Sequence, residues 1–322
     1  MTSSDDAVLT KRQKLRDILE RDTVTVMPGG FSPLYARMAE VIGFECYFIP
    51  GSQMAAFLIG VPDNGILGLR DMVDHARHAA ARTGIPVQLD ADTGFGNAVN
   101  VHYAVQEIVR AGVAAMNIED QEAPKKSAPL AGRRCIPMEE MVGKVRAAVA
   151  ARDEIDPAFC ICARNDTLGA EGSNFAEALE RCQAYAEAGA DYIWLNSVET
   201  RADLKEVCEK ISLPIQVIWG GREEPAPSPQ EFEDLGARIA LYPVQFATAG
   251  MQGAWYAMND FYRRGPEAFK DWAEMTGSGP GGKIDQKMLI GADKIRELEE
   301  EFLTDADKRD YDTTWGHGGQ TS

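Results

Sequence analysis

Residues 90–97 read Asp-Ala-Asp-Thr-Gly-Phe-Gly-Asn, directly after the mostly apolar run 85–89. A strand that ends in paired carboxylates and then a glycine turn can present oxygen ligands to a hard divalent cation. On an extended strand alternate side chains share a face, so Asp90 and Asp92 are expected to point one way and Ala91 the other. Such oxygens suit Mg²⁺, or Mn²⁺ in its place, with water completing the shell. The next strand-like run, 114–118, also ends in acid, at Glu119 and Asp120. Asp90, Asp92 and Glu119 are therefore the candidate metal ligands.

These acids need a scaffold that gathers strand ends. Eight short apolar or β-branched runs occur, at 23–28, 46–50, 86–90, 114–119, 159–165, 192–197, 214–220 and 238–243. Helical patterns fall between them at 69–83, 99–111, 138–152, 175–188 and 202–211, and glycines Gly112, Gly189 and Gly236 follow three of these or later helical stretches as left-handed caps. Alternating βα units imply parallel strands with right-handed crossovers, and eight of them favour a closed (β/α)8 TIM-type barrel. In that fold the chemistry sits at the C-terminal strand ends, where all three acids fall. Beyond the eighth strand the pattern predicts a helix over 253–264, a flexible turn over 276–282, a charged helix over 285–304 and a mobile polar tail over 305–322. This gives a barrel domain, 1–265, and a C-terminal helical extension, 266–322.

The formal net charge of −17 over 322 residues argues against nucleic acid and anionic membrane as partners. No apolar run is long enough to span a bilayer, and residues 1–14 lack the apolar core of a signal peptide. Six cysteines without Cys-x-x-Cys spacing read as reduced thiols in a cytoplasmic setting, with Cys160 and Cys162 as core residues on one strand face. Gly277 to Lys283 satisfies Gly-x-x-x-x-Gly-Lys, but Ile284 replaces the required hydroxyl residue, which speaks against a nucleotide-phosphate loop. His75 and His78 read as solvated helix residues, and neither His-Glu-x-x-His nor a nucleophile elbow occurs.

Taken together, Asp90–Asn97, Ile118-Glu119-Asp120-Gln121 with Pro124-Lys125, Cys162-Ala163-Arg164-Asn165-Asp166 and Leu241-Tyr242-Pro243 resemble the isocitrate lyase and phosphoenolpyruvate mutase superfamily over residues 15–300. The resemblance implies a Mg²⁺-dependent barrel that makes or breaks a C–C or C–P bond beside a carboxylate. It also implies a homotetramer in which the last barrel helix is exchanged between subunits. By position, Asp63 lies near the metal and Arg164 holds a substrate carboxylate or enolate oxygen. Gly51 and Ser52 offer backbone N–H groups, and Lys125 opens a gating loop, 125–134. The departures narrow the function. Ser127 stands where lyases of the family carry the proton-donating cysteine, and a hydroxyl is a far weaker acid than a thiol. Asn196, Ile218, Thr248 and Pro50 replace polar or charged positions that hold a second carboxylate. With Phe48, Phe57 and Trp219 near in pattern, this suggests a less charged, more apolar substrate than a tricarboxylate. The expected activity is a Mg²⁺-dependent carbon–carbon lyase acting on a small 2-hydroxy or 2-oxo carboxylate through an enolate. A phosphonopyruvate-type mutase or hydrolase, an oxo-acid decarboxylase or hydrolase, and a non-catalytic metabolite-binding barrel are the alternatives.

Overall fold

The computed structural model describes residues 4–127, 131–221, 223–278, 286–311 and 313–314. Eight strands alternate with helices: β1 (Thr25–Pro28), β2 (Tyr47–Ile49), β3 (Val87–Asp90), β4 (Ala115–Glu119), β5 (Cys160–Asn165), β6 (Tyr192–Leu195), β7 (Ile215–Val217) and β8 (Ile239–Tyr242). Each lies within one of the expected runs, shortened at its ends. Proline explains part of the trimming: Pro86 and Pro214 precede β3 and β7 and Pro50 follows β2, and proline has no N–H for a ladder.

All pairings are parallel, in the order β1-β8-β7-β6-β5-β4-β3-β2. The remaining seam, between β1 and β2, is joined by the bridge of Gly29 to Phe48 and by the Gly30 N–H donating to the Phe48 carbonyl at 3.1 Å. The sheet is thus a nearly closed (β/α)8 barrel with helices outside it.

Strand alternation divides the core in two. Ile49, Leu89, Met116, Ile161 and Ile193 face the helices, whereas Met27, Phe48, Cys162, Trp194, Ile239 and Leu241 fill the barrel. That inner cluster is completed by Leu15, Ile18 and Leu19 from an N-terminal helix, Ser4–Glu20. The polar start of the chain had given no hint of this helix. Its cations bond carbonyls far along the chain: Lys11 donates to the Ala80 carbonyl (2.6 Å), Arg12 to that of Val113 (3.0 Å) and Arg16 to that of Ala158 (2.9 Å). Hydrophobic residues spaced three and four apart then point inward, and the barrel floor is shut.

The five expected helices between strands are present within a few residues, and Gly112, Gly189 and Gly236 have φ of 85°, 102° and 95°. Further helices, among them Pro33–Ile42 and Pro229–Asp234, escaped the sequence pattern. The chain forms two compact units, Met1–Ala254 and Trp255–Ser322, the division falling inside the helix Gln245–Arg264. In the second unit the expected 285–304 helix is two, Gln286–Ile290 and Asp293–Phe302, interrupted at Gly291 with φ 68°. Helix Ala268–Gly277 takes the first residues of the expected turn. Residues 279–285, with most of the Gly-x-x-x-x-Gly-Lys match, and the tail 315–322 lie outside the described residues. Among the described residues no helix is long and apolar enough to cross a membrane.

Candidate active site

Asp90 is the last residue of β3, and its carboxylate is tied on three sides. Oδ1 accepts from Asn117 Nδ2 (2.8 Å) and from the Asp92 N–H (3.2 Å), and Oδ2 accepts from the Gly51 N–H (3.0 Å). Gly51 therefore serves Asp90, where the sequence had suggested an open donor for substrate. Asp92 joins it by a different route from the one expected. The strand has ended, and Asp92 is in the left-handed region with φ 47°. A turn, not strand alternation, brings the second carboxylate round. Two features hold that turn: Lys144 Nζ donates to the Thr93 carbonyl at 3.0 Å, and Gly94 (φ 86°) packs where a Cβ would lie 2.6 Å from Val101.

Lys125, almost fully buried, lies among these acids. Its Nζ is 2.6 Å from Asp92 Oδ1, 2.9 Å from Asp63 Oδ1 and 3.9 Å from Glu119 Oε1. Arg164, at the end of β5, contacts Glu119 Oε2 through Nη1 (3.1 Å) and Asp166 through Nε (2.8 Å) and Nη2 (3.1 Å). Its guanidinium lies 4.3 Å over the Trp194 ring, which is itself edge-on to Phe48. These partners leave N–H groups of the guanidinium unspent. Asp166 further accepts from Asn196 Nδ2 and from Arg133 Nη1.

Of the residues singled out in the sequence, Gly51, Asp63, Asp90, Asp92, Glu119, Lys125, Arg164 and Asn196 thus form one connected cluster at the C-terminal strand ends. Trp219 lies apart from the barrel interior. Its Nε1 donates to the Glu223 carbonyl (3.2 Å), and it lines a cavity of about 670 Å³ with Arg133, Leu168, Phe175, Asn196 and Ile218. Trp194 takes the interior place. Among the described residues no hydrogen bond or ion pair links Ser52 or Ser127 to the cluster. Asn117, Arg133, Asp166 and Trp194 had not been singled out. Asp166 and Trp194 could have been found by extending strand alternation by one step, from Arg164 and from Asn196; Arg133 carried no local signal.

Burial strains the charges here. It pushes Asp92 up to about 6, against the pull of Lys125, and it pushes Glu119 well above the usual carboxylate range despite Arg164 and Lys125. Burial also works against the Asp90 charge, but Lys125, Arg164 and the bonds from Gly51 and Asn117 hold its pKa low. For Lys125 the desolvation cost is overcome by Glu119, Asp90, Asp92 and Asp63, so it stays an ammonium.

A divalent cation fits this arrangement. The acids Asp63, Asp90, Asp92, Glu119 and Asp166 face Lys125, Arg164 and Arg133, an excess of two negative charges. Asp92 Oδ1 and both oxygens of Glu119 receive no hydrogen bond of good geometry and are held by charge contacts alone. Among the described residues no three acids, histidines or cysteines form a ready-made cage. Mg²⁺ does not require one, since it keeps several waters and uses few protein ligands.

Comparison with known proteins decides the family: the model described as phosphoenolpyruvate phosphomutase matches residues 15–261. The chain belongs to that family. Its relatives within the phosphoenolpyruvate mutase family include the 2,3-dimethylmalate lyase of Eubacterium barkeri, 37% identical over 298 residues, which span 90% of this chain and 98% of that protein. A probable 2-methylisocitrate lyase of Corynebacterium glutamicum is 36% identical over 84% of this chain and 87% of its own length. Among solved structures, phosphonopyruvate hydrolase in complex with oxalate and Mg²⁺ superimposes with a TM-score of 0.78 at 29% identity, covering 92% of this chain and 100% of that one.

Proposed function

We propose that this chain is a divalent-cation-dependent lyase that cleaves a carbon–carbon bond in a small 2-hydroxy or 2-oxo carboxylate. One observation carries the reading beyond family membership: acids outnumber cations by two charges at the barrel mouth, and three carboxylate oxygens of Asp92 and Glu119 lack a well-formed hydrogen bond. Asp90, Asp92 and Glu119 would hold the ion, with Asp63 at its edge. Mg²⁺, or Mn²⁺, supplies a Lewis acid that polarises substrate oxygen. The remaining work falls to the chain's own groups. Arg164, fixed by Glu119, Asp166 and Trp194, turns its unspent N–H groups toward the oxyanion of the departing fragment; a preset donor of this kind contributes about 3 kcal/mol. Lys125, in contact with Asp92 and Asp63, serves as a fixed positive charge beside the reacting groups.

The cavity beside Asn196 bears on the substrate. Leu168, Phe175, Ile218 and Trp219 give it apolar walls, and the charge of Arg133, its one cation, is already paired with Asp166, with Nη2 donating to the Leu168 carbonyl and Ser197. A third carboxylate would find no uncommitted cation among these residues, so an alkyl-substituted malate suits the site better than a tricarboxylate. In 2,3-dimethylmalate, loss of the hydroxyl proton forms the new carbonyl as the C2–C3 bond breaks. The resulting enolate takes a proton, giving pyruvate and propionate. Incubation with Mg²⁺ and 2,3-dimethylmalate, 2-methylisocitrate or phosphonopyruvate, with products identified by NMR, tests this. Cleavage of the dialkylmalate, abolished by EDTA, is expected. Full turnover after metal removal would end the proposal, and phosphate release from phosphonopyruvate would move the chain to the C–P branch.

The proposal extends to a homotetramer that exchanges the last barrel helix, working in a reducing cytoplasm. Trp255 and Tyr262 on helix Gln245–Arg264 are 66% and 91% exposed, and all six cysteines are free. Mass measurement in solution checks the assembly.

A further inference from the structure

Arg133 stands at the far end of the expected gating loop, and no sequence motif marks it. It is nevertheless buried, at 5% exposure, while its neighbours Gly132 and Arg134 are exposed. Nη1 donates to Asp166 Oδ1 at 3.1 Å, and Nη2 donates to the Leu168 carbonyl at 2.8 Å and to Ser197 Oγ at 3.3 Å. The fit is close, since a Cβ on Gly169 would lie 2.6 Å from Nη2. A planar fork can span a carboxylate, a carbonyl and a hydroxyl at fixed angles; an ammonium cannot.

The carboxylate it grips is the one that sets Arg164. Asp166 Oδ1 receives Arg133, Asn196 and Arg164 together, while Oδ2 faces Arg164 Nε. Losing Arg133 would remove one of the three donors on Asp166 Oδ1 and loosen the carboxylate that holds the Arg164 guanidinium on the side away from Glu119. We propose that Arg133 is a positioning residue: held by the Leu168 carbonyl and Ser197, it locks Asp166 and thereby orients Arg164 toward substrate oxygen. This rests on the reading that Arg164 receives the developing oxyanion.

The test uses oxalate, a planar dianion that mimics the enolate, with Mg²⁺ affinity measured separately by calorimetry on the full chain. Wild type is expected to bind oxalate in the presence of Mg²⁺; failure here would overturn the parent reading and not the role of Arg133 alone. Arg133→Ala is expected to weaken oxalate about tenfold or more, the scale of one charge-assisted, oriented contact, while Mg²⁺ binding, facing one positive charge fewer, is not weakened. Added guanidinium ion should restore oxalate affinity saturably, which a general loss of structure would not allow. Arg133→Lys, which keeps the charge and most of the packing, should lose about fivefold because it cannot span all three partners. Oxalate affinity equal to wild type in either variant would overturn the inference, as would an oxalate defect in Arg133→Ala that guanidinium does not repair.

Discussion

Gly51→Ala separates site geometry from stability. Gly51 opens the short helix Gly51–Met54 after β2, and its φ is outside the left-handed region. Alanine is therefore allowed by the backbone and, as a better helix former, stabilises by about 0.5 kcal/mol. The added Cβ, however, would stand 2.8 Å from Asp92 Oδ1 and 3.3 Å from Asp90 Oδ2. Carbon–oxygen contacts relax at about 3.3 Å, so Asp92 must retreat by about 0.5 Å. It cannot do so freely, because Lys125 holds the same oxygen at 2.6 Å. Mg²⁺ demands ligands at about 2.1 Å in near-octahedral geometry, so the shift should cost the ion one good ligand, at least about 1.4 kcal/mol or tenfold in affinity. Calorimetric titration with Mg²⁺ and Mn²⁺, alongside thermal unfolding, reads both quantities. The expected pair is a melting temperature little changed, the helix gain being offset by the crowding at Asp92, with weakened binding. An alanine variant that bound both ions as tightly as wild type would refute the placement of the ion beside Asp90 and Asp92.

Other outcomes follow from the same geometry. Asp92→Asn should abolish Mg²⁺-dependent turnover, whereas Ser127→Ala, whose hydroxyl joins nothing in the cluster, should change kcat by less than about threefold; steady-state kinetics on both variants compare them. Asp166→Asn should destabilise the fold by about 3 kcal/mol at neutral pH by breaking a buried charge network. Although burial opposes it, the Asp166 charge is favoured by Arg164, Asn196 and Arg133, which hold its pKa below the usual value. Its contribution is therefore complete above the unfolded value of about 3.9 and fades as pH falls through the native one, so urea titrations should show the two proteins converging in acid. Ile18→Ala should cost about 2–4 kcal/mol of unfolding free energy while leaving Mg²⁺ affinity unchanged, since Ile18 fills the barrel floor away from the strand ends.

The barrel was legible because a βα repeat writes itself in hydrophobic periodicity. The strands are short and largely buried, several are bounded by glycine or proline, and the intervening helices carry apolar faces. The acids were legible because they end such strands. What escaped was of two kinds. The N-terminal helix uses only Leu15, Ile18 and Leu19 to plug the barrel, and its cations bond carbonyls far along the chain, which no local pattern encodes. Arg133 and Trp194 matter through partners at distant positions, Asp166 and Arg164 among them. Asp92 was read correctly as a neighbour of Asp90 in space for a reason that does not hold, since a left-handed turn did what alternation was expected to do. A period-two argument stops where the strand does.

The sealed floor has a kinetic corollary. With Leu15, Ile18 and Leu19 stopping one end of the barrel, whatever is made at the strand ends must leave by the way the reactant came in. On the proposed reading, in which Arg164 holds the enolate fragment, two fragments share one doorway and cannot depart independently. Departure becomes a queue, with the fragment nearer the rim going first, and product inhibition should carry the signature of that order.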